Sequence, residues 1–63
     1  MTRRQSQIME LLVQGFSNKE IAMHLGVSDN TIKMHLQRMY LRNGVGSRGR
    51  LVAKALREAK AVG

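Results

Sequence analysis

The stretch that decides the fold runs from Ser17 to Leu36 and reads SNKEIAMHLGVSDNTIKMHL. Ser17 precedes Glu20 by three residues, which is the spacing of a capping box and predicts the start of a helix. Gly26 follows an apolar stripe and is the residue type that most often ends a helix in the left-handed conformation. Ser28 is in turn a favoured N-cap for a second helix. The stretch therefore predicts a helix-turn-helix, two helices joined by a tight turn.

The same signals extend through the rest of the chain and predict an all-α fold. Thr2 and Gln5 form a second capping box, and Gly15 and Gly44 are placed to end helices. We predict a compact four-helix domain containing the helix-turn-helix, with helices at approximately 3–14, 18–25, 29–43 and 48–60. A chain this short has room for one hydrophobic core, so we expect residues 1–63 to form a single domain.

Apolar residues that recur every three or four positions predict the face of each helix that forms the core. Phe16, the one phenylalanine, is expected to fill the space between helices 1 and 2, and Val27 to close the turn from the core side. The expected core residues, in chain order, are Ile8, Met9, Leu11, Leu12, Ile21, Ala22, Leu25, Ile32, Leu36, Met39, Leu51, Val52, Ala55, Leu56 and Ala59.

The charge of the chain is strongly positive and unevenly distributed. The sequence has 11 lysines and arginines against 4 acidic residues, for a formal net charge of +7. The stretch from Asn30 to Arg57 contains seven lysines and arginines and no aspartate or glutamate. A small domain in which one half carries only positive charges is typical of a protein that binds a polyanion. Charge alone does not distinguish DNA from RNA or an anionic membrane, and a solvated basic surface is the plainer interpretation.

Composition argues against several other classes of protein. No cysteine is present, and His24 and His35 fall on different helices without carboxylates at ligand spacing, so we expect no metal site and no cofactor. The sequence has no paired carboxylates, activated nucleophile or phosphate-binding loop, so we expect no enzymatic activity. No apolar run approaches the roughly 18 residues of a membrane span, and no secretion signal is present. We therefore expect a cytoplasmic protein without membrane contact.

Helix 3 has a polar outer stripe opposite its core face. The side chains that project outward at about 100° per residue are Asn30, Met34, Gln37 and Leu41, flanked by Lys33 and Arg38. Lysine donates hydrogen bonds to guanine, asparagine and glutamine pair with adenine, and a methionine methyl contacts that of thymine. An ordinary surface helix also has a polar outer face, but the preceding turn favours a helix that enters a DNA major groove. The predicted base-contacting residues are Lys33, Met34, Gln37 and Asn30.

The predicted contacts with the DNA backbone lie at the start of helix 2 and along the edges of helix 3. A helix N-terminus presents unpaired amides, which suit a phosphate, and Ser17, Asn18 and Lys19 cluster there. Thr31 and Arg42 are placed to hold the backbones on either side of the groove. Helix capping is the alternative interpretation for the two hydroxyl residues, and plain solvation for the two cations.

These residues resemble the DNA-binding domain of LuxR/FixJ-type bacterial transcription regulators, and the resemblance covers nearly the whole chain. The matching positions are Thr2 and Arg4, Ser17-Asn18-Lys19-Glu20-Ile21-Ala22, Leu25-Gly26-Val27-Ser28, Thr31-Ile32-Lys33, His35, Gly44-Val45, Ser47-Arg48 and Leu51-Val52. So long and correctly spaced a set is specific to the family.

The resemblance implies a four-helix domain that binds double-stranded operator DNA, usually as a homodimer, and regulates transcription. In several members helix 4 forms the dimer contact. By position, it assigns base contacts to Lys33, Met34 and Gln37. It assigns backbone contacts to Ser17, Asn18, Lys19, Thr31, His35 and Arg38. It also implies a pairing of Glu20 with Arg48. A receiver or ligand-binding domain, fused to this one or acting as its partner, is left open.

Three positions depart from the family pattern. Gln5 stands where glutamate is usual, Leu41 where a charged residue is usual, and Asn43 where leucine is usual. Asn43 points inward by phase, so helix 3 is expected to pack less well at its end or to stop a turn early. The position of Gln37 is often basic in relatives, so no operator sequence carries over.

A protein-interaction module that retains the helix-turn-helix fold is the alternative function. It would use exposed apolar residues, namely Met23, Met34 and Leu41, to bind a partner. The retained Lys33 and the half of the chain without acidic residues argue for DNA instead. The dependence of affinity on salt separates the two, because neutralised phosphates give a steep negative slope and apolar docking does not.

Overall fold

The computed structural model describes residues 2–62, and the side chains among them as far as residue 59; the two ends of the predicted domain lie outside that range. Its helices are α1 (Arg3–Val13), α2 (Asn18–Leu25), α3 (Asp29–Asn43) and α4 (Arg48–Val62). The described residues contain no strand. The prediction of a compact all-α domain with four helices is confirmed, although α1 ends one residue early and α4 continues past the predicted end.

Both predicted capping boxes are present and complete. At the start of α1, Gln5 N donates to Thr2 Oγ1 over 3.1 Å and Thr2 N donates to Gln5 Oε1 over 3.3 Å. At the start of α2, Glu20 N donates to Ser17 Oγ over 3.1 Å and Ser17 N donates to Glu20 Oε1 over 2.9 Å. These bonds satisfy amides that a helix leaves without partners, so they fix where each helix begins.

The turn of the helix-turn-helix depends on Gly26. This residue has φ +71°, in the left-handed region, and follows the last residue of α2. Val27 N donates to Ala22 O over 3.0 Å, which closes the Schellman motif expected after a left-handed glycine. Ser28 then caps α3 by accepting from Thr31 N over 3.1 Å. The chain therefore leaves α2 and enters α3 within three residues, which fixes the angle between the two helices.

The core is a single cluster to which all four helices contribute. Its buried members are Ile8, Leu11, Leu12, Ile21, Ala22, Ile32, Leu36, Met39 and Leu51. Phe16 and Val27 are half-buried and pack against this cluster, as predicted. On α4 the prediction was wrong at its far end, where Leu56 is 47% exposed and Ala59 is also exposed. The stripe continues along α4, but no described helix covers its C-terminal half.

Two polar residues take positions that the sequence left uncertain. Gln5 is only 6% exposed, and its capping bond with Thr2 compensates for this burial. Asn43 does not stop α3 early, because its side chain finds partners. Asn43 Nδ2 donates to Met39 O over 2.7 Å, and Lys54 Nζ donates to Asn43 Oδ1 over 3.2 Å.

Replacing Glu20 by glutamine is expected to reduce the sensitivity of the fold to acid. The Ser17 N–H bonded to the carboxylate lowers the pKa of Glu20 below its ordinary value of 4.5. Because the folded-state pKa is depressed, this group stabilises the fold above pH 4.5 and loses that effect as the pH falls through the lowered pKa. The Glu20→Gln variant should therefore lose less of its melting temperature than the wild type between about pH 7 and about pH 3.

The capping box of α1 and the exposed Glu10 provide a precedent and a control for the Glu20→Gln variant. Gln5 forms the equivalent capping box in α1, so a neutral amide can accept the same backbone bond. Glu10 is exposed, and its carboxylate makes no hydrogen bond within the described residues, so Glu10→Gln is the matched control. Identical acid dependence in the wild type and in Glu20→Gln would contradict the prediction.

Candidate DNA-binding surface

The outer stripe of α3 lies at the surface, as its phase predicts. Asn30, Met34, Gln37 and Leu41 are all exposed, whereas Ile32, Leu36 and Met39 on the opposite face are buried. Met34 is 54% exposed and Leu41 is 84% exposed. A helix of 15 residues is about 22 Å long. The stripe is therefore a long exposed ridge, and the opposite face of α3 packs in the core.

One edge of this ridge meets the start of α2. A shallow depression there is lined by Asn18, Lys33, Leu36, Gln37 and Tyr40. Lys33 and Gln37 are exposed, and Asn18 is half-buried. The fold thus brings one predicted backbone-contacting residue next to two predicted base-contacting residues, although Asn18 and Lys33 are 15 positions apart in the sequence. Amide and ammonium donors converge on this depression, which suits the edge of an anionic duplex.

A second depression lies along the other edge of α3. It is lined by Thr31, Met34, His35 and Arg38. His35 Nδ1 is buried and has no hydrogen-bond partner among the described residues. A group that binds at this depression would therefore meet the other ring nitrogen of His35, Nε2.

The remaining predicted backbone contacts divide into caps and solvated cations. Ser17 Oγ accepts from Glu20 N, and Thr31 Oγ1 lies 2.9 Å from Ser28 Oγ, so both hydroxyls already take part in helix capping. Lys19 is exposed beside Ser17 at the start of α2. Arg42 is also exposed, but it lines neither depression and lies toward the far end of α3.

The expected pairing of Glu20 with Arg48 was wrong. The Arg48 guanidinium donates instead to Asn18 Oδ1 and to the backbone carbonyl of Phe16. Glu20 turns back toward its own helix start, because its carboxylate accepts from Ser17 N. Within the described residues the ion pair is Lys54 with Glu58, at 3.6 Å. The sequence identified Arg48 as a structural arginine of the family, but no local signal pointed to Asn18 as its partner.

Other kinds of site are not apparent. The described residues contain no group of three potential metal ligands. No described helix is long and apolar enough to cross a membrane. Lys33, Arg38 and Arg42 form no ion pair within the described part of the chain, so their charge remains available to an anionic partner. The chemistry that this surface offers is hydrogen-bond donation from cations and amides, with the apolar Met34 and Leu41 among them.

Comparison with known proteins agrees with this picture. The family model for bacterial regulatory proteins of the luxR family matches residues 1–55. An HTH-type transcriptional regulator in the exeN 3′ region of Aeromonas salmonicida is 41% identical over 51 residues, which are 81% of this chain and 26% of that protein. The HTH-type transcriptional regulators MalT of Yersinia pestis and Yersinia pseudotuberculosis are each 36% identical over 63 residues, which are 100% of this chain.

The chain spans a small part of these curated relatives, about a quarter of the first and 7% of each MalT protein. The family match covers most of the chain, and it includes the helix-turn-helix, the exposed ridge of α3 and the start of α4. The chain therefore belongs to the luxR family of bacterial regulatory proteins and carries the DNA-binding helix-turn-helix of a transcription regulator.

Proposed function

We propose that this domain binds double-stranded DNA in a sequence-specific manner, with α3 in the major groove. The observation that carries the proposal is the exposed ridge of α3, which has cationic and amide donors along it and a fully packed core behind it. The major groove is about 12 Å wide and admits an α-helix. Rigid attachment to α2 through the Gly26 turn presents the ridge at a fixed angle.

The proposed base contacts are made by Lys33, Met34, Gln37 and Asn30. Lys33 donates to guanine O6 and N7, and the two amides form paired hydrogen bonds with adenine. The Met34 methyl contacts the methyl of thymine. Such contacts distinguish one base pair from another, because each pair presents its own pattern of donors, acceptors and methyl groups in the major groove.

The proposed backbone contacts lie on both sides of the ridge. On one side the α2 N-terminus donates amides to a phosphate, supported by Ser17, Asn18 and Lys19. On the other side the donors are Thr31, His35 through Nε2, Arg38 and Arg42. Contacts of this kind set register and orientation, whereas the base contacts set sequence preference.

The wider setting is part of the proposal. Residues 1–63 act as one DNA-binding domain without enzymatic activity or cofactor, in the cytoplasm. Two copies pair through α4, where the half-exposed Leu56 and the exposed Ala59 offer an apolar stripe that the domain's own core leaves uncovered. A receiver or ligand-binding domain, fused or separate, supplies the controlling signal.

A protein-interaction role for the same fold is the second candidate. Leu41 is 84% exposed and Met23 is 75% exposed, so each offers apolar surface that a partner could bury. Met23 lies on α2 and Leu41 near the end of α3. A partner of this kind would bind by burying apolar surface, and its affinity would depend little on salt.

Selection from a randomised pool of duplex DNA, with competitor DNA at near-physiological salt, tests the first proposal. We expect an enriched motif, and two related half-sites about one helical turn apart if two copies bind together. The affinity for that motif should fall steeply as salt rises, because each neutralised phosphate releases counterions. Absence of any motif, together with a flat salt dependence, would contradict DNA binding and favour the protein-interaction role.

A further inference from the structure

Arg48 forms a tertiary contact that the proposed DNA contacts do not explain. It is the first residue of α4, and its guanidinium reaches the turn between α1 and α2. There it donates to Asn18 Oδ1 and to the Phe16 carbonyl oxygen, and the two contacts span 30 and 32 residues of sequence. Arg48 is half-buried and lines neither depression beside the ridge.

The bond to Asn18 determines the orientation of the asparagine amide. A guanidinium has five donors and no acceptor, so the group that Arg48 contacts must be the amide oxygen. The Asn18 Nδ2 is the other branch of the same planar amide and therefore points away from the Arg48 guanidinium. Nδ2 makes no hydrogen bond within the described residues, and Asn18 lines the depression that it shares with Lys33 and Gln37.

We propose that Arg48 is a positioning residue for DNA binding that acts through Asn18. By holding Oδ1 inward, it leaves both Nδ2 hydrogens available to a phosphate oxygen at the edge of the groove. Without Arg48 the amide can rotate and present Oδ1 to the phosphate. The phosphate oxygens and Oδ1 are all acceptors that carry negative charge, so they repel each other. The inference rests on the proposed function, because it requires a duplex seated against α3.

The Phe16 contact gives Arg48 a separate structural role that a test must distinguish. Loss of the bond to the Phe16 carbonyl lowers the stability of the turn between α1 and α2, whatever residue occupies position 18. Loss of the bond to Asn18 affects DNA binding only when Asn18 is present. A double-mutant cycle therefore separates the two effects, because it measures the dependence of one residue on the other.

The experiment measures the affinity of the selected duplex for four proteins, the wild type, Asn18→Ala, Arg48→Ala and the double variant, together with their melting temperatures. Asn18→Ala loses the donors to the phosphate, a hydrogen bond to a charged group, so we expect it to bind about tenfold more weakly. Arg48→Ala keeps those donors but loses their fixed orientation, so it should also bind more weakly, by no more than Asn18→Ala. The double variant should bind no more weakly than Asn18→Ala. The melting temperature should fall on replacement of Arg48 in both backgrounds, because the Phe16 contact is lost in both.

Asn18→Asp and Arg50→Ala leave the bond between Arg48 and the Phe16 carbonyl in place, so they serve as controls for the cycle. Asn18→Asp retains an oxygen for Arg48 and removes the outward donors, so it should keep the wild-type melting temperature and bind at least as weakly as Asn18→Ala. Arg50→Ala removes a neighbouring exposed charge that has no link to Asn18. Its effect on affinity should be the same with and without Asn18.

Two results would overturn the inference, and they are distinguishable. If replacing Arg48 weakens binding by the same factor in the wild-type and Asn18→Ala backgrounds, Arg48 does not act through Asn18, and the proposed function stands. If the wild type shows neither an enriched motif nor a steep salt dependence, the proposed function fails, and the inference fails with it.

Discussion

Replacing Lys33 by alanine is expected to weaken binding to the selected duplex by about 1–3 kcal/mol and to relax preference at one base pair. Lys33 is exposed, forms no ion pair within the described residues and lies beside Asn18 and Gln37 at the edge of the α3 ridge. A lysine in this place can donate to guanine O6 and N7. Its loss removes discrimination at that base pair, in addition to one positive charge.

The measurement compares affinities for the selected duplex and for duplexes in which each base pair of the half-site is changed in turn. For the Lys33→Ala variant, one substituted duplex should no longer bind more weakly than the original. Arg57→Ala is the matched control, because it removes one charge from an exposed position of α4, outside the α3 ridge. The control should weaken binding to all duplexes by a similar factor and leave sequence preference unchanged.

The opposite pattern would assign Lys33 a different role. If Lys33→Ala binds every duplex more weakly by one factor, Lys33 contacts a phosphate, and its loss should also reduce the salt slope by about one unit. Base recognition would then rest on Met34, Gln37 and Asn30. The distinction affects the expected operator sequence, because a guanine facing Lys33 is expected only if Lys33 contacts a base.

The beginnings and ends of the helices could be predicted from the sequence because their causes are local. A capping box involves residues three apart, and a left-handed stop depends on one glycine and its neighbours. The caps at Thr2, Ser17 and Ser28 and the stop at Gly26 all follow from such short-range rules. The orientation of the α3 ridge is equally predictable, since helical phase alone places Met34 nearly opposite Ile32.

The features that could not be predicted depend on distances between helices. The apolar stripe of α4 continues to Ala59, but periodicity does not indicate where the neighbouring helices end, so the exposure of Leu56 was missed. The partners of Arg48 depend on how α4 is placed against the turn between α1 and α2, which no local sequence rule sets. Arg48 donates to Asn18 and to the Phe16 carbonyl, while the Glu20 carboxylate that the family pattern suggests accepts from Ser17 N.

The exposed apolar residues of the ridge bear on both candidate functions. Met34 and Leu41 are seven positions apart on the same stripe of α3, about 10 Å along the helix axis. In a major groove the Met34 methyl suits a thymine methyl group. The proposed base contacts therefore account for the exposure of Met34 without a protein partner, whereas Leu41 and Met23 lie outside those contacts.

Replacing Gly26 by valine is expected to cost the domain about 2 kcal/mol or more, and to lower its melting temperature by about 10 °C. Gly26 has φ +71°, a conformation that costs an L-residue about 1–2 kcal/mol, and a β-branched side chain adds to this. No atom lies within 4 Å of the position that a Cβ would take, so the cost arises from the backbone and not from a clash. A domain of this size has only a few kcal/mol of stability, so the loss is a large fraction of it.

Gly49→Ala is the matched control for this prediction, because it separates backbone strain from the general effect of losing a glycine. Gly49 lies in α4 without a positive φ, and the space around its Cβ position is also open. Alanine there should leave the melting temperature unchanged or raise it slightly, because Gly49 lies in the first turn of α4 and the glycine cost of about 0.5–1 kcal/mol applies to a helix interior. Thermal unfolding of both variants gives the comparison, and a wild-type melting temperature for Gly26→Val would contradict the account of the turn.

Because Gly26 also sets the angle at which α3 leaves α2, the folded fraction of Gly26→Val should bind the selected duplex more weakly than the folded wild type. That loss of affinity would show that the turn positions the α3 ridge, in addition to holding the two helices together.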